Sequence, residues 1–514
     1  MTTLVKTKNT IKTANSSTEL LTGEEVLQLL DDNRFIEEWQ QLANACTWAT
    51  VFQSPGFVAA WYRIYEKEFL PVLIKTVYAG QLTGLLSLAK DKNGLITGAG
   101  TNQAEYQVWI GKDANDESFI KNALHELFQH FPNCKLQLKY IPAGVSFEFV
   151  KKDPAWNKRC FVKVSPQPLM VIDDTHLTSE LRKKNRREKM NRLKRMGDLH
   201  FERITSYSTF ASVFDELALQ NDFRKGAMYN KVAFKDDPLR KKFLLDLFEQ
   251  GHLHATVLKI DDKIIASNVG VCGNNWLHLQ GINSFAPGYA RYSPGIIHFL
   301  LLGKMLAEEG VAVFDLTPGA DAYKDILATD YSEAYTLSIG GNGYGLVKNW
   351  QSRLRQLGKK TAAALGINRE ALKRARRKLK NPASPLTTPS AKSWTFQKPF
   401  PESNLLPIQQ DDLGHLLLYE PRKTLQEFLS DAMRQFEEGG HCYSWAEEGV
   451  LQACAWVPKQ QAPENTIVLS ALYCHPKARE RFHHFMQSLA HILASNTPHE
   501  KIYLTTAYAN SHSS

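Results

Sequence analysis

Two neighbouring stretches, Tyr292-Ser293-Pro294-Gly295 and Phe314-Asp315-Leu316-Thr317-Pro318-Gly319, decide how this chain reads. Ser293 suits a helix N-cap, and Pro294 suits the first helical position, where its missing N–H costs nothing. Gly295 has no Cβ, so a ligand can approach the backbone closely there. The free N–H groups and dipole of such a helix start attract anions, phosphate above all. An isolated Ser-Pro-Gly is equally an ordinary capped helix. Here the apolar helix 294–309 is followed by strand VAVFDLT, which ends on a carboxylate beside the helix start.

Outward from this core, residues 169–345 read as β-α-α-β-β-β-α-β-α-β, a mixed sheet with helices on its faces. A basic helix 178–196 stops at Gly197, and helices 208–221 and 236–250 follow strand LHFERIT. A three-strand meander then turns at Asp261-Asp262 and Gly273-Asn274-Asn275, and a short helix 320–328 and strand SEAYTLSIG close the unit. Residues 23–168 read as α-α-β-β-β-β-α-β, with YQVWI among the strands. The shared order of hairpin-rich sheet, helix and strand reads as an internal duplication. Residues 1–22 are a polar, disordered leader, 346–392 a basic helix followed by a Pro/Ser/Thr linker, and 393–514 a third α/β unit.

Charge and composition narrow the function classes. Of 514 residues, 43% are hydrophobic, so the chain is globular, with room for three domains. No apolar run reaches the roughly 18–20 residues that span a bilayer, and the N-terminus has no apolar signal core. Seven scattered cysteines with no CxxC pair argue against a disulfide framework or a zinc site, and a cytoplasmic setting fits. The net charge of +9 is local: residues 181–195 hold nine basic residues and one Glu, and residues 348–380 hold twelve and one. Such runs are solvated helix faces or contacts for a polyanion or an anionic membrane surface, the latter placing the chain at the inner membrane face.

The chain resembles the GNAT acyltransferase superfamily, in particular its tandem-GNAT branch of CelD-like proteins and, more distantly, the FemAB transferases. Four segments carry the likeness: Phe52-Gln53-Ser54-Pro55 with Trp61; Glu105-Tyr106; the basic helix ending at Gly197; and residues 292–328. The resemblance implies an α/β (α+β mixed) fold of tandem GNAT-like domains, with mostly antiparallel mixed sheets flanked by helices. The C-terminal unit is then a degenerate third copy; its His475-Pro476-Lys477-Ala478-Arg479 has no glycine, so no coenzyme A is expected there. The resemblance also implies acetyl-CoA or another acyl-CoA as co-substrate, no metal, and Ser293, Gly295 and Ile296 as the cofactor-binding residues.

Acyl transfer to an amine needs a base and donors for developing charge. Asp315 is the expected base or else a turn residue. Tyr323 is the proton donor to the leaving thiolate, or a packed tyrosine; Lys324 is an anion contact, or a surface lysine. His278 and Gln280 share one strand face and, with Arg224, line the substrate wall, unless each is structural. Glu105 and Tyr106 are placed at the interface between modules. The expected activity is N-acylation of a polar small molecule or a glycan or cell-envelope precursor. The alternatives are a FemAB-like transferase that takes its acyl group from aminoacyl-tRNA held by the basic helices, and a non-catalytic scaffold in exopolysaccharide assembly.

Overall fold

A computed structural model of the chain describes residues 16–114, 116–319, 321–364, 393–398, 400, 405–421, 424–459, 466–494 and 501–506. Thirteen of the described strands join in one sheet. They are β1 (Ser16–Thr22), β2 (Leu70–Tyr78), β3 (Gln81–Lys90), β4 (Leu95–Gly98), β5 (Ile110–Gly111), β6 (Lys135–Pro142) and β7 (Cys160–Val171). The second half supplies β8 (Leu199–Ile204), β9 (Leu253–Ile260), β10 (Lys263–Gly273), β11 (Trp276–Phe285), β12 (Val313–Asp315) and β13 (Asp330–Ile339). The spatial order is β1-β2-β3-β4-β6-β13-β7-β12-β11-β10-β9-β8, with β5 on β3. This is a mixed α/β architecture, mostly antiparallel, with β4–β6 and β11–β12 as its parallel pairs.

The two modules are fused through this sheet. Strand β13, the last of the second module, lies between β6 and β7 and pairs with both. Strand β7 pairs with β13 along Cys160–Leu169 and with β12 at Leu169–Val171, so the expected boundary at 168/169 falls inside a strand. Such a shared strand buries backbone bonds across the boundary, and the modules cannot separate without breaking them.

Other expectations shift in register. Residues Ser16–Thr22, read as leader, form an edge strand against β2; residues 1–15 lie outside the described residues. The basic helix is two helices, Asp174–Arg182 and Lys184–Lys194, broken at Lys183 (ψ 135°). The expected strand YQVWI contracts to β5: Gln53 donates to the Tyr106 carbonyl, and the Gln107 N–H makes an isolated bond to the Lys139 carbonyl of β6. The helix expected over 208–221 runs from Tyr207 to Tyr229 and stops at Asn230 in the left-handed region. It continues because Asp222 accepts from the N–H groups of Phe234 and Lys235, capping the next helix instead of ending its own. The linker 381–392 and most of the basic segment beyond Ala364 lie outside the described residues.

The C-terminal unit carries strands Ser393–Gln397, Thr466–Leu469 and Lys501–Thr506 in one small sheet. A second sheet holds Gln409–Gln410, His441–Glu447, Val450–Val457 and Ala471–Cys474. Its helix Leu425–Glu437 packs on helix Tyr207–Tyr229, so Phe223, Ala227 and Val232 belong to the same apolar core as Leu425, Phe428 and Leu429. Among the described residues no helix is long and apolar enough to cross a membrane.

Candidate active site

Strand β12 is three residues long, and its parallel pairing with β11 ends at His278–Asp315. Beyond that point β11 continues to Phe285, while the chain after Asp315 turns away through Thr317, whose φ of 61° is left-handed. Just past the His278–Asp315 pair, β11 bulges in its pairing with β10, between His278 and Gly281. The gap that opens is bordered by β11, by helices Tyr207–Tyr229 and Ala322–Leu327, and by the first-module loop that ends at Tyr106.

Asp315 is fully buried and its oxygens are taken. The Tyr106 hydroxyl donates to Oδ2 at 2.5 Å, His278 Nδ1 lies 2.9 Å from the same oxygen, and the Thr317 N–H donates to Oδ1 at 2.8 Å. Phe52 packs 5.2 Å from the His278 ring and holds it against Tyr106. A carboxylate so enclosed fastens the modules together and is not positioned to meet an incoming amine. Gln280 is likewise engaged, donating to the Asn102 carbonyl at 2.8 Å. His278 and Gln280 thus hold the first-module loop; Gln280 is engaged by that contact, and His278 also lines the cavity behind Tyr106.

The loop they hold presents Glu105. Its partly exposed carboxylate accepts no hydrogen bond among the described residues, and its pKa is raised to about 7. Desolvation is the main cause and the Asp315 charge adds to it, against the opposing pull of Lys324, Lys139 and Lys225. Lys225 is lowered to about 8, first by burial and then by Arg224 beside it. Burial also lowers Lys324, whose Nζ donates to the Thr317 carbonyl at 2.9 Å and stands 3.8 Å from Asp321. The Tyr229 hydroxyl donates to Asp321 in turn.

Arg224 is buried, donates to the Asn283 carbonyl at 3.1 Å, and lies 5.7 Å from the ring centres of both Tyr323 and Phe285. Its Nε has no partner among the described residues, a buried donor at the gap left unsatisfied by them. Tyr323 stacks on Phe299, and burial pushes its phenol up to about 12. The structure therefore brings Arg224, Tyr323 and Lys324 together as expected and turns Asp315, His278 and Gln280 into their scaffold. Sequence reading placed Glu105 only at the module interface and passed over Lys225; its one signal was the Arg-Lys pair in NDFRKGAMYN.

At the other end of the gap, helix Pro294–Glu308 starts as expected, but Ser293 does not cap it. Ser293 is left-handed (φ 53°) and its Oγ accepts from Lys189 Nζ at 2.8 Å. The Ile296 N–H, expected to face a cofactor, already donates to the Ser293 carbonyl at 3.1 Å. The Gly295 N–H has no acceptor among the described residues, and a Cβ there would meet only Phe285, at 3.7 Å. One free N–H, a helix start and a lysine fit a phosphate-bearing group, with fewer backbone donors than a glycine-rich loop supplies. Among the described residues no cluster of His, Cys, Asp or Glu is arranged to hold a metal. Behind Tyr106 and His278 lies a cavity of about 520 Å³, lined by Trp48, Trp276, Gln167 and Ser332 among others, with no Asp, Glu, Lys or Arg.

Residues 180–325 match the family model of an acetyltransferase (GNAT) domain, a span that contains Arg224, Lys225, Gly295, Asp315, Tyr323 and Lys324 but not Glu105, Tyr106 or Lys139. No curated protein matches the chain. Solved structures similar to it include the C-terminal domain of a lysylphosphatidylglycerol synthetase from Agrobacterium fabrum, at 15% identity over 61% of this chain and 93% of that one (TM-score 0.37). Others are FemX, at 11% over 58% and 95% (0.42), and a tandem GNAT protein of the clavulanic acid pathway, at 13% over 63% and 98% (0.40). The likeness to a GNAT acetyltransferase domain thus falls on residues 180–325.

Proposed function

We propose that this chain is an acyl-CoA-dependent N-acyltransferase whose general base is Glu105. The observation that carries the reading is one carboxylate, free of hydrogen bonds among the described residues and raised to about 7, set among the lysines of the GNAT-like segment. A base poised near neutrality takes a proton from an acceptor ammonium or amine most effectively at working pH. Asp315 contributes through Glu105: its buried charge is one reason Glu105 holds a proton so high.

Acyl-CoA supplies the thioester, with the Gly295 N–H and Lys189 as the groups that would hold a phosphate. The acceptor amine nitrogen bonds to the acyl carbon, the C–S bond breaks, Glu105 receives the amine proton, and Tyr323, kept protonated at neutral pH, gives one to the departing thiolate. Arg224, Lys225 and Lys324 attract an anionic group on the acceptor. The uncharged, indole- and amide-lined cavity behind Tyr106 suits the neutral rings of a glycan precursor, the acceptor class favoured here over a small charged metabolite.

The test is calorimetric titration with acetyl-CoA and longer acyl-CoAs, followed by thiol release in the presence of amino-sugar acceptors. Binding of a CoA thioester, and turnover lost in Glu105→Gln, support the reading. No heat and no thermal shift with any CoA compound would refute it. Tight, salt-dependent binding of aminoacyl-tRNA would then favour the tRNA-dependent alternative.

A further inference from the structure

Helix Tyr344–Ala364 is packed with its polar side inward. Gly345 is buried against β7, where a Cβ would stand 2.3 Å from the Cys160 carbonyl oxygen, and Lys348 and Ser352 are half-buried on the same side. At about 100° per residue these three positions share one face. The opposite face carries Leu346, Val347, Trp350 and Leu354, which are 53%, 53%, 64% and 47% exposed. An ordinary surface helix buries its apolar stripe and shows its charges to water. A contiguous apolar stripe turned outward, with the polar face spent on the protein, is a contact surface.

Charge defines the partner. The helix contains Lys348, Arg353, Arg355, Lys359 and Lys360 and no acidic residue. Lys348 and Arg355 flank the stripe on one side of the helix and Arg353 on the other. Between the helix and the sheet lies a groove of about 950 Å³, lined by Lys139, Lys163, Lys348, Arg353 and Arg355 and by no carboxylate. In sequence the basic run continues, with twelve basic residues and one Glu over 348–380. An apolar stripe edged by cations matches the boundary between acyl chains and anionic headgroups. A nucleic acid would use the cations and stack a base on Trp350, but offers no apolar surface for Leu346, Val347 and Leu354. A second copy of this chain would bury the stripe but would bring like charges together.

We propose that helix Tyr344–Ala364 is an interfacial membrane-binding element that seats its Leu346–Leu354 stripe in an anionic phospholipid surface. The proposal is independent of the acyl-transfer reading. Full-length protein is sedimented with vesicles of phosphatidylcholine alone and with about one third phosphatidylglycerol. The expected result is at least ~10-fold stronger binding to the anionic vesicles, weakened by salt. The double variant Trp350→Ser, Leu354→Ser should lose that binding while keeping its thermal midpoint and its response to CoA compounds, since both side chains are exposed.

Equal binding to both vesicles, or unchanged binding by the double variant, would overturn the proposal. So would a native dimer that the double variant turns into a monomer, which gives the stripe to a second copy. Salt-sensitive RNA binding lost in the same variant would give it to nucleic acid. Shielding of Trp350 from acrylamide without vesicles, read against Trp350→Phe, would give it to another part of the chain.

Discussion

At the scale of single residues, two carboxylates near the cleft differ because their surroundings differ. Asp315 has three donors and no access; Glu105 has none and faces the cleft. Wild-type kcat/KM is expected to rise with pH through about 7 as Glu105 loses its proton, and to show no such limb in Glu105→Gln. That variant should lose about 10²–10⁴-fold in kcat with an unchanged melting temperature. A pH profile of the two proteins checks both statements. Asp315 was legible in the sequence as a strand-end carboxylate, but its engagement was not, because Tyr106 lies 209 residues away and reaches it only through the fold. His298 makes a second residue-scale prediction. Burial lowers its pKa to about 3, with Nε2 2.9 Å from Thr256 Oγ1. The unfolded chain binds this proton below about pH 6.5 and the folded chain does not. Stability therefore falls as pH drops from about 6.5 towards 3, by up to about 1.4 kcal/mol per pH unit. His298→Gln should flatten that slope in urea unfolding measured from pH 7 to 4; an unchanged slope would reject the assignment.

At the scale of elements, the order of helices and strands was largely readable from apolar periodicity and turn residues, and the expected start of helix 294–309 falls where the structure has it. What periodicity could not reveal is how strands part. Just past the point where β11 and β12 part lies Gly281, whose φ of 138° and close approach to the Val269 carbonyl leave no room for a side chain; a Cβ would stand 2.0 Å from that oxygen. Gly281→Ala must flatten the bulge or push β10 away. We expect a loss of about 2–4 kcal/mol in stability, in the range of strained backbone substitutions. Activity should also fall even below the melting transition, since Asn283 and the Arg224 contact to it lie two residues on. The neighbouring Gly288, whose Cβ would meet nothing within 4 Å, is the control: Gly288→Ala should change stability little. Chemical denaturation of the two variants separates a bulge-specific effect from a general cost of replacing glycine.

At the scale of the whole molecule, the third unit is tied to the cleft through one helix. Helix Tyr207–Tyr229 offers Arg224, Lys225 and Tyr229 to the gap and buries Phe223 and Ala227 in the C-terminal core. Gln426 and Ser430 bond to the Met228 and Ala227 carbonyls at 2.7 Å each, and Lys235 donates to the Leu417 carbonyl at the same distance. A composition reading expects a linker before this unit, but could not show that the unit completes its core with residues of the preceding module. The same geometry makes the third unit a support for the end of the helix that carries Arg224 and Lys225. Leu429 is fully buried where the two meet, so Leu429→Asp places a charge in an apolar core, at a cost of several kcal/mol unless the unit detaches. Detachment frees the end of the helix that carries the cleft cations. The expected outcome is early proteolytic loss of residues beyond 393 and a KM for the acceptor raised about 10-fold, while affinity for CoA compounds, proposed to rest on Gly295 and Lys189, changes little. A variant that sheds the unit yet keeps its acceptor KM would show that helix Tyr207–Tyr229 holds its end without help, and that the third unit serves something other than this cleft.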